Sequence, residues 1–142
     1  MSRKCFVDTN ILIYAHDRDA GPRHERAREL VRRLWLDGGG VISVQVLQEF
    51  YVNITRKIPR PLTLPGAREL IEAYRSWQVE SPTPDTVLAA SEIQERNQLS
   101  FWDAMIIATA VRAGVETLYS EDLNHGQVIE GIRVENPLAN DA

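Results

Sequence analysis

Four acidic residues stand where a folded chain could bring carboxylates together: Asp8, Glu49, Asp103 and Asp122. Asp8 and Asp122 each follow a short apolar run, whereas Glu49 and Asp103 lie near the starts of predicted helices. Carboxylates packed at one point repel each other and raise one another's pKa values. A hard divalent cation relieves that repulsion: Mg²⁺ prefers oxygen ligands, and Mn²⁺ accepts the same set. The pattern therefore predicts an Mg²⁺ or Mn²⁺ centre and disfavours Zn²⁺, which usually binds Cys or His.

Each acid also has a purely structural interpretation, and the sequence leaves these interpretations open. Asp8 could cap the helix that follows it, and Asp103 could form a capping box with Ser100. Glu49 could be an exposed residue of a helix face, and Asp122 could be a solvated turn residue. Asp103 is the hardest to explain in this way, because its neighbours are apolar and a buried carboxylate carries a desolvation cost.

The acids need elements that carry them to one place, and the spacing of apolar residues provides candidates. Short apolar runs predict four strands, at 5–7, 41–42, 117–119 and 132–134. Helical spacing and capping residues predict six helices, at 9–16, 23–36, 44–57, 64–77, 85–97 and 100–113. Strands separated by helices indicate an α/β fold with a mainly parallel sheet. In such folds, ligand sites gather at the carboxyl ends of the strands.

Length and composition indicate one ordinary domain. The chain has 142 residues, enough for a full hydrophobic core, and we expect a single domain over 1–142. Hydrophobic residues make up 44% and charged residues 25%, which argues against a disordered chain. The single cysteine, Cys5, excludes an internal disulfide framework and suits a reducing compartment. Neither a signal peptide nor an apolar run near the ~18 residues of a membrane span is evident. We therefore expect a cytoplasmic protein without a membrane partner.

The net charge of −4 is unevenly distributed along the chain. Residues 1–60 contain 11 basic and 7 acidic side chains, whereas residues 61–142 contain 5 and 13. This asymmetry favours nucleic-acid contact in the first part of the chain, and ordinary solvated helix faces explain it equally well. The three histidines lack partners at suggestive spacing, which favours helix-end or surface roles over catalysis.

Four segments around the acids resemble the motifs of PIN-domain nucleases. They are FVDTNILIY at 6–14, ISVQVLQEFY at 42–51, SFWDA at 100–104 and LYSED at 118–122. One Asp-Thr-Asn would be weak evidence, but the four segments together are specific and span nearly the whole chain in the family's order. Within that family, the chain is most similar to the VapC-type ribonuclease toxins of prokaryotic toxin–antitoxin pairs.

The resemblance implies a fold, an activity and partners. The fold would be a three-layer α/β/α sandwich with a mainly parallel central sheet. The activity would be Mg²⁺- or Mn²⁺-dependent hydrolysis of RNA phosphodiester bonds, with a metal-bound water attacking phosphorus. The partners would be a second copy of the chain in a homodimer and an antitoxin protein that blocks the site.

The resemblance also assigns roles to residues. The metal-binding and catalytic set would be Asp8, Glu49, Asp103 and Asp122, with Thr9, Asn10, Ser120 and Glu121 in supporting positions. Ser120 would take the polar position beside the fourth acid, where the family often has Thr. The fourth motif is the loosest of the four, because Glu121 adjoins Asp122 and could replace it as the inner ligand.

Basic residues of the first part of the chain could guide RNA by binding its phosphates without reading its sequence. These candidates are Arg23, Arg26, Arg32, Arg33, Arg56, Lys57 and Arg60. For Arg26, Arg32 and Arg33, ion pairs with Glu25 and Glu29 on the same helix are an equally good interpretation.

Two other classes of protein compete with a nuclease. A phosphoacceptor signalling domain would need a pair of acids after the first strand and a lysine near the last strand. Asp8 stands alone and residues 61–142 contain no lysine, so this class is set aside. A non-catalytic interaction module with a retained acidic metal site stays open, and divalent-dependent RNA cleavage would discriminate between the two.

Overall fold

The structure, a computed structural model, describes residues 3–139 and contains one six-stranded sheet. Its strands are β1 (Cys5–Val7), β2 (Gly40–Ser43), β3 (Gln78–Glu80), β4 (Thr117–Tyr119), β5 (Val128–Ile129) and β6 (Ile132–Glu135). The order across the sheet is β3-β2-β1-β4-β6-β5. Only β5 and β6 pair antiparallel, and the other neighbours are parallel. The two central strands, β1 and β4, therefore end at the same edge.

Within residues 3–139, six α-helices cover both sides of this sheet. They are α1 (Thr9–His16), α2 (Pro22–Asp37), α3 (Val44–Arg56), α4 (Leu64–Tyr74), α5 (Pro84–Asn97) and α6 (Phe101–Arg112). α1 packs against α2 and α3, α3 against α4, and α5 against α6. The predicted α/β/α sandwich with a mainly parallel sheet is confirmed. Within residues 3–139, no helix combines the length and apolar character needed to cross a membrane.

Two strands, β3 and β5, are absent from the predicted set. β3 is an edge strand with one apolar residue between two polar ones, and β5 has only two residues. A tight turn closes β5 onto β6, with Glu130 and Gly131 at φ values of 51° and 81°. α4 ends at Tyr74, before the predicted end, because the chain turns there to enter β3. β3 lacks a continuous apolar run, and β5 is too short to show one.

Local side-chain contacts fix how the chain enters and leaves β2. Gly40 begins the strand with Trp77 packed directly over it, and a Cβ at this position would overlap the indole ring. At the other end, the Ser43 hydroxyl accepts a hydrogen bond from the Val46 amide at 3.2 Å and so caps α3, as predicted. This cap sets the direction of α3, the helix that carries Glu49.

Candidate metal centre

The ends of β1 and β4 bring Asp8 and Ser120 side by side. Val7 pairs with Tyr119 in parallel register, and the Asp8 amide donates a hydrogen bond to the Tyr119 carbonyl oxygen at 2.9 Å. Both residues directly follow their strands, so two positions 112 residues apart in sequence become neighbours.

The Asp8 side chain is buried (7% exposed), and both of its carboxylate oxygens accept hydrogen bonds. Oδ1 accepts from the Thr9 amide at 2.7 Å and Oδ2 from the Ser120 hydroxyl at 2.9 Å. Burial raises the pKa of Asp8 to about 6; these hydrogen bonds oppose the rise, and the charges of Asp122 and Asp103 add to it. Asp8 is also the N-cap of α1, so its capping role and its place among the acids coexist.

Asp122 lies two residues beyond Ser120 and belongs to the same cluster. Its amide donates to Ser120 Oγ at 3.1 Å, and its carboxylate oxygens accept from Asn10 Nδ2 at 3.1 and 3.0 Å. Partial burial raises the pKa of Asp122, as do the charges of Asp103 and Glu121, while the Asn10 hydrogen bond lowers it. The Ser120 hydroxyl therefore connects the Asp8 carboxylate to the backbone of Asp122.

Asp103 joins the cluster from the first turn of α6. Ser100 caps this helix, and its hydroxyl accepts a hydrogen bond from the Asp103 amide at 3.1 Å. Within residues 3–139, the Asp103 carboxylate does not return a bond to the Ser100 amide, so only half of the predicted capping box forms. The charge of this half-buried carboxylate raises the pKa values of both Asp8 and Asp122. The three acids thus share one electrostatic environment.

Glu49 is the predicted site acid that the structure does not join to this cluster. It is exposed on α3, and its Oε1 accepts a hydrogen bond from Gln45 Nε2 at 3.1 Å, one turn earlier. Across the described range, no hydrogen bond connects Glu49 to the other three acids. α3 packs against α1, whose N-terminus Asp8 caps, so Glu49 lies on a helix adjacent to the site.

The chemistry of these side chains fits a hard divalent cation. Every donor is an oxygen, the acids repel one another, and the buried Thr9 Oγ1 beside Asp8 has no hydrogen-bond partner in the part of the chain that the structure describes. Among residues 3–139, no group of three or more His, Cys, Asp or Glu side chains is placed so that it could hold a metal ion. Mg²⁺ usually keeps several waters and binds one or two protein carboxylates, which matches the chemistry of the Asp8 and Asp122 side chains.

Glu121 points to a different set of partners from Asp122. Its Oε1 accepts a hydrogen bond from the Tyr14 hydroxyl at 3.0 Å, and its Oε2 pairs with Arg23 Nε at 3.2 Å. The Arg23 guanidinium also lies over the Tyr14 ring, 5.6 Å from its centroid. Tyr14 is the member of this group to which the sequence assigned no role. Its four-residue spacing from Asn10 on α1 could have indicated it, because such residues share one helix face.

The other basic candidates have partners of several kinds. Arg26 Nη1 donates to the Leu138 carbonyl oxygen at 3.0 Å, and Arg33 Nη2 donates to the Tyr119 hydroxyl at 3.3 Å. Arg32 pairs with Glu29 at 3.8 Å on its own helix, and Arg60 pairs with Asp19 at 3.3 Å. Arg56 and Lys57 are exposed at the end of α3. Within residues 3–139, Arg23 is the candidate that forms an ion pair with an acid of the fourth motif.

Comparison with known proteins supports the assignment that the fold and the site suggest. Residues 5–130 match the PIN domain family. The chain therefore belongs to the PIN domain family, and the resemblance found in its sequence is confirmed. A curated relative, Ribonuclease VapC24 of Mycobacterium tuberculosis, is 28% identical over 144 residues, covering 95% of this chain and 97% of the relative.

Solved structures share the fold over most of the chain. Mycobacterium tuberculosis VapC20, a toxin that cleaves the sarcin–ricin loop, matches with a TM-score of 0.64 and 25% identity, covering 82% of this chain and 88% of its own. A toxin–antitoxin complex from Klebsiella pneumoniae matches with a TM-score of 0.67 and 21% identity, covering 94% and 98%. DNA-bound VapBC from Salmonella typhimurium matches with a TM-score of 0.66 and 20% identity, covering 96% of this chain and 99% of its own.

Proposed function

We propose that this protein is a divalent-metal-dependent endoribonuclease and the toxin of a type II toxin–antitoxin pair. The observation that carries the proposal is the cluster of Asp8, Asp103 and Asp122 at one edge of the sheet of a PIN domain. The ribonuclease VapC24 aligns with nearly the whole chain, which supports RNA as the substrate. We treat 1–142 as a single PIN-like domain, since the family match spans 5–130.

In the proposed centre, Asp8, Asp103 and Asp122 would hold Mg²⁺, or alternatively Mn²⁺, and Glu49 would provide a further carboxylate from α3. The bound ion would polarise the scissile phosphate and lower the pKa of an attacking water. Because Asp8 has a pKa of about 6, it is mostly ionised at pH 7 and available as a ligand.

Supporting residues hold these acids in place. The Thr9 amide and the Ser120 hydroxyl each bind one oxygen of Asp8, and Asn10 binds the carboxylate of Asp122. Such outer contacts orient metal ligands, so that the acids are already ordered before a metal ion binds. Asp122 is the inner acid of the fourth motif in this proposal, because Glu121 is already engaged by Tyr14 and Arg23.

RNA would approach over the basic residues of the first part of the chain. Arg23 would bind the phosphate beside the metal centre, because its ion pair with Glu121 places it next to Asp122. Contacts to more distant phosphates would come from Arg26, Arg32, Arg33, Arg56, Lys57 and Arg60. These contacts would add affinity that falls with salt and carries no sequence preference.

The toxin proposal also implies protein partners. Solved neighbours include complexes of toxin with antitoxin, which supports an antitoxin partner for this chain. A groove of about 640 Å³ between α3 and α4, lined by Val44, Leu47, Tyr51, Val52 and Ile71, offers apolar surface for such a protein. We further propose a homodimer and a cytoplasmic location, in which a partner protein would control access to cellular RNA.

The proposal is tested by measuring RNA cleavage with Mg²⁺, with Mn²⁺ and with excess chelator. We expect cleavage only with a divalent ion, and its loss in Asp8→Asn and Asp103→Asn. Asp85→Asn is the matched control, because Asp85 also lies in the first turn of a helix, α5, and is exposed. Full activity in chelator, or in both site variants, would overturn the proposal.

Metal binding is measured separately, by titrating Mn²⁺ into the purified protein. We expect wild type and Asp85→Asn to bind the ion and the two site variants to bind it more weakly. Metal binding without RNA cleavage would instead support the alternative function, a non-catalytic interaction module with a retained acidic metal site.

A further inference from the structure

Trp102 is a large aromatic residue that the fold leaves in solvent. Its exposed fraction is 65%, against 37% for Trp35, while Trp77 is buried. Trp35 and Trp77 pack with Tyr74 in one aromatic cluster, at ring-centroid distances of 4.7 and 5.1 Å from the tyrosine. Trp102 lies outside that cluster. An exposed indole of this size contributes little to the core and offers a large aromatic surface to a ligand.

The position of Trp102 connects it to the acidic cluster. It is the second residue of α6 and directly precedes Asp103, so their Cα atoms lie about 3.8 Å apart. Asp103 is one of the acids of the proposed metal centre and lies in the first turn of α6, so the start of this helix borders that centre. A nucleotide whose phosphate bound at the proposed metal centre would bring its base close to the start of α6.

The indole ring is supported on one side. Phe101 packs partly against the hydrophobic core, and its ring meets the Trp102 ring edge-on, 5.3 Å between centroids and 74° between planes. This contact restricts the indole while most of its surface stays open to solvent. A supported ring with a free face is the geometry on which unpaired nucleobases stack in proteins that bind single-stranded RNA.

We propose that Trp102 stacks against a nucleobase of the RNA substrate next to the scissile phosphate. The inference rests on the proposed ribonuclease function and names how a substrate would be held at that site. Stacking on one ring accepts every base, so Trp102 would favour single-stranded or looped RNA over duplex without selecting a sequence. It would act beside the phosphate contact proposed for Arg23, which does not recognise a base.

Binding is tested with an unpaired RNA oligonucleotide and Mg²⁺, in an Asp8→Asn background that keeps the RNA intact. We expect Trp102→Ala to weaken RNA affinity by roughly tenfold, and Trp102→Phe to keep most of it. Replacing the bases of the oligonucleotide with abasic units should remove the difference between Trp102 and Trp102→Ala. Trp35→Ala is the matched control and should leave RNA affinity unchanged. Unchanged affinity in Trp102→Ala would overturn the proposal.

Tryptophan fluorescence provides a second readout that does not depend on cleavage. RNA should quench the emission of the background protein and of Trp35→Phe, but not that of Trp102→Phe. Persistent quenching in Trp102→Phe would overturn the stacking role. The stacking role would also be overturned if Trp102→Ala formed smaller oligomers than the wild type and kept its RNA affinity. That result would assign the exposed indole to a protein interface.

The two proposals fail in different ways. If wild type cleaves RNA and Trp102→Ala has no effect on binding, the stacking role is wrong and the nuclease stands. If RNA binds with the expected dependence on Trp102 but wild type does not cleave it, the proposed function is wrong, and Trp102 stacks on a bound RNA and not beside a scissile phosphate.

Discussion

The Ser120 hydroxyl donates a hydrogen bond to Asp8 Oδ2 at 2.9 Å, joining the ends of β4 and β1 across 112 residues of sequence. The same oxygen, Ser120 Oγ, accepts from the Asp122 amide at 3.1 Å. Ser120 is fully buried, so no solvent can replace either bond. One hydroxyl thereby fixes the relative position of two acids in the proposed centre.

Replacing Ser120 by alanine should therefore affect both stability and the acidity of Asp8. We expect Ser120→Ala to lower the free energy of unfolding by about 1–3 kcal/mol, because buried polar groups lose their partner. It should also move the pKa of Asp8 above about 6, since the Ser120 hydrogen bond lowers it in wild type. Urea denaturation measures the first effect, and carboxyl NMR titration of the metal-free protein measures the second. Ser91→Ala, at an exposed serine of α5, is the control. An unchanged Asp8 pKa would contradict this role for Ser120.

Asp8 should make the metal-free protein less stable as pH rises. Its pKa is about 6 in the folded protein against an ordinary value of 3.8, so the folded state binds the proton more tightly. Between these two pH values, the contribution of Asp8 to the free energy of unfolding should fall with rising pH, by on the order of 2 kcal/mol. Asp8→Asn removes this contribution and still caps α1, because Asn is an equally good N-cap. Thermal or urea unfolding of both proteins from pH 4 to 7 measures the difference, and a wild-type curve parallel to that of Asp8→Asn would contradict it.

His16 should act in the opposite direction over nearly the same range. Burial and the charge of His24 lower the pKa of His16 to about 4 from an ordinary 6.5, and His16 Nε2 hydrogen-bonds the Tyr74 hydroxyl at 2.8 Å. Below pH 6.5, His16 binds a proton in the unfolded state but stays neutral in the folded state. The free energy of unfolding should therefore fall as pH drops. We expect His16→Gln to reduce this loss of stability at acid pH. His125→Gln, at an exposed position, should leave it unchanged. An equal loss of stability at acid pH in wild type and His16→Gln would rule out this role.

Arg23 and Glu121 should affect RNA binding more than chemistry. Arg23→Ala should raise KM roughly tenfold with a much smaller change in kcat, because it removes the guanidinium that would contact a phosphate. It should also reduce the salt dependence of RNA binding, by about 0.7 in log–log slope for a single strand. Arg96→Ala is the matched control, because Arg96 makes a comparable ion pair with Glu130 at 2.7 Å on α5.

Glu121→Gln distinguishes an anchor for Arg23 from a metal ligand. If Glu121 only positions Arg23, the variant should raise KM while Mn²⁺ affinity stays at the wild-type value. A drop in Mn²⁺ affinity in Glu121→Gln, with none in Arg23→Ala, would instead place Glu121 among the ligands and contradict the choice of Asp122.

The sequence predicts most elements of this fold because their patterns are local. Cys5-Phe6-Val7 is continuously apolar, as a strand buried on both faces must be, and Ser43 precedes its helix as a cap. The polar edge strand β3 and the two-residue β5 lack such a pattern, since edge positions do not require two apolar faces. Parallel pairing of β1 with β4 then follows from topology and brings two of the acids to one edge.

The choice of partners within the site could not be predicted in the same way. Glu121 and Asp122 are adjacent in sequence, and only the packing of α1 beside their loop sends one to Tyr14 and the other to Asn10. His16 is an example at the far end of α1: the sequence favours a helix-end or surface role for the histidines, and the fold places His16 at the helix end but packs it against Phe50 and Tyr74. Such contacts depend on residues tens of positions away, which no local pattern reports.

The double role of Asp8, as helix cap and as site acid, has a genetic consequence. Few single substitutions at this position remove the activity of the enzyme and still leave the chain folded. Asparagine keeps the cap and removes the charge, and an aspartate codon becomes an asparagine codon by one base change. Alanine, also one base change away, loses both. We therefore expect spontaneous loss-of-function alleles that still yield folded protein to be enriched in Asp8→Asn.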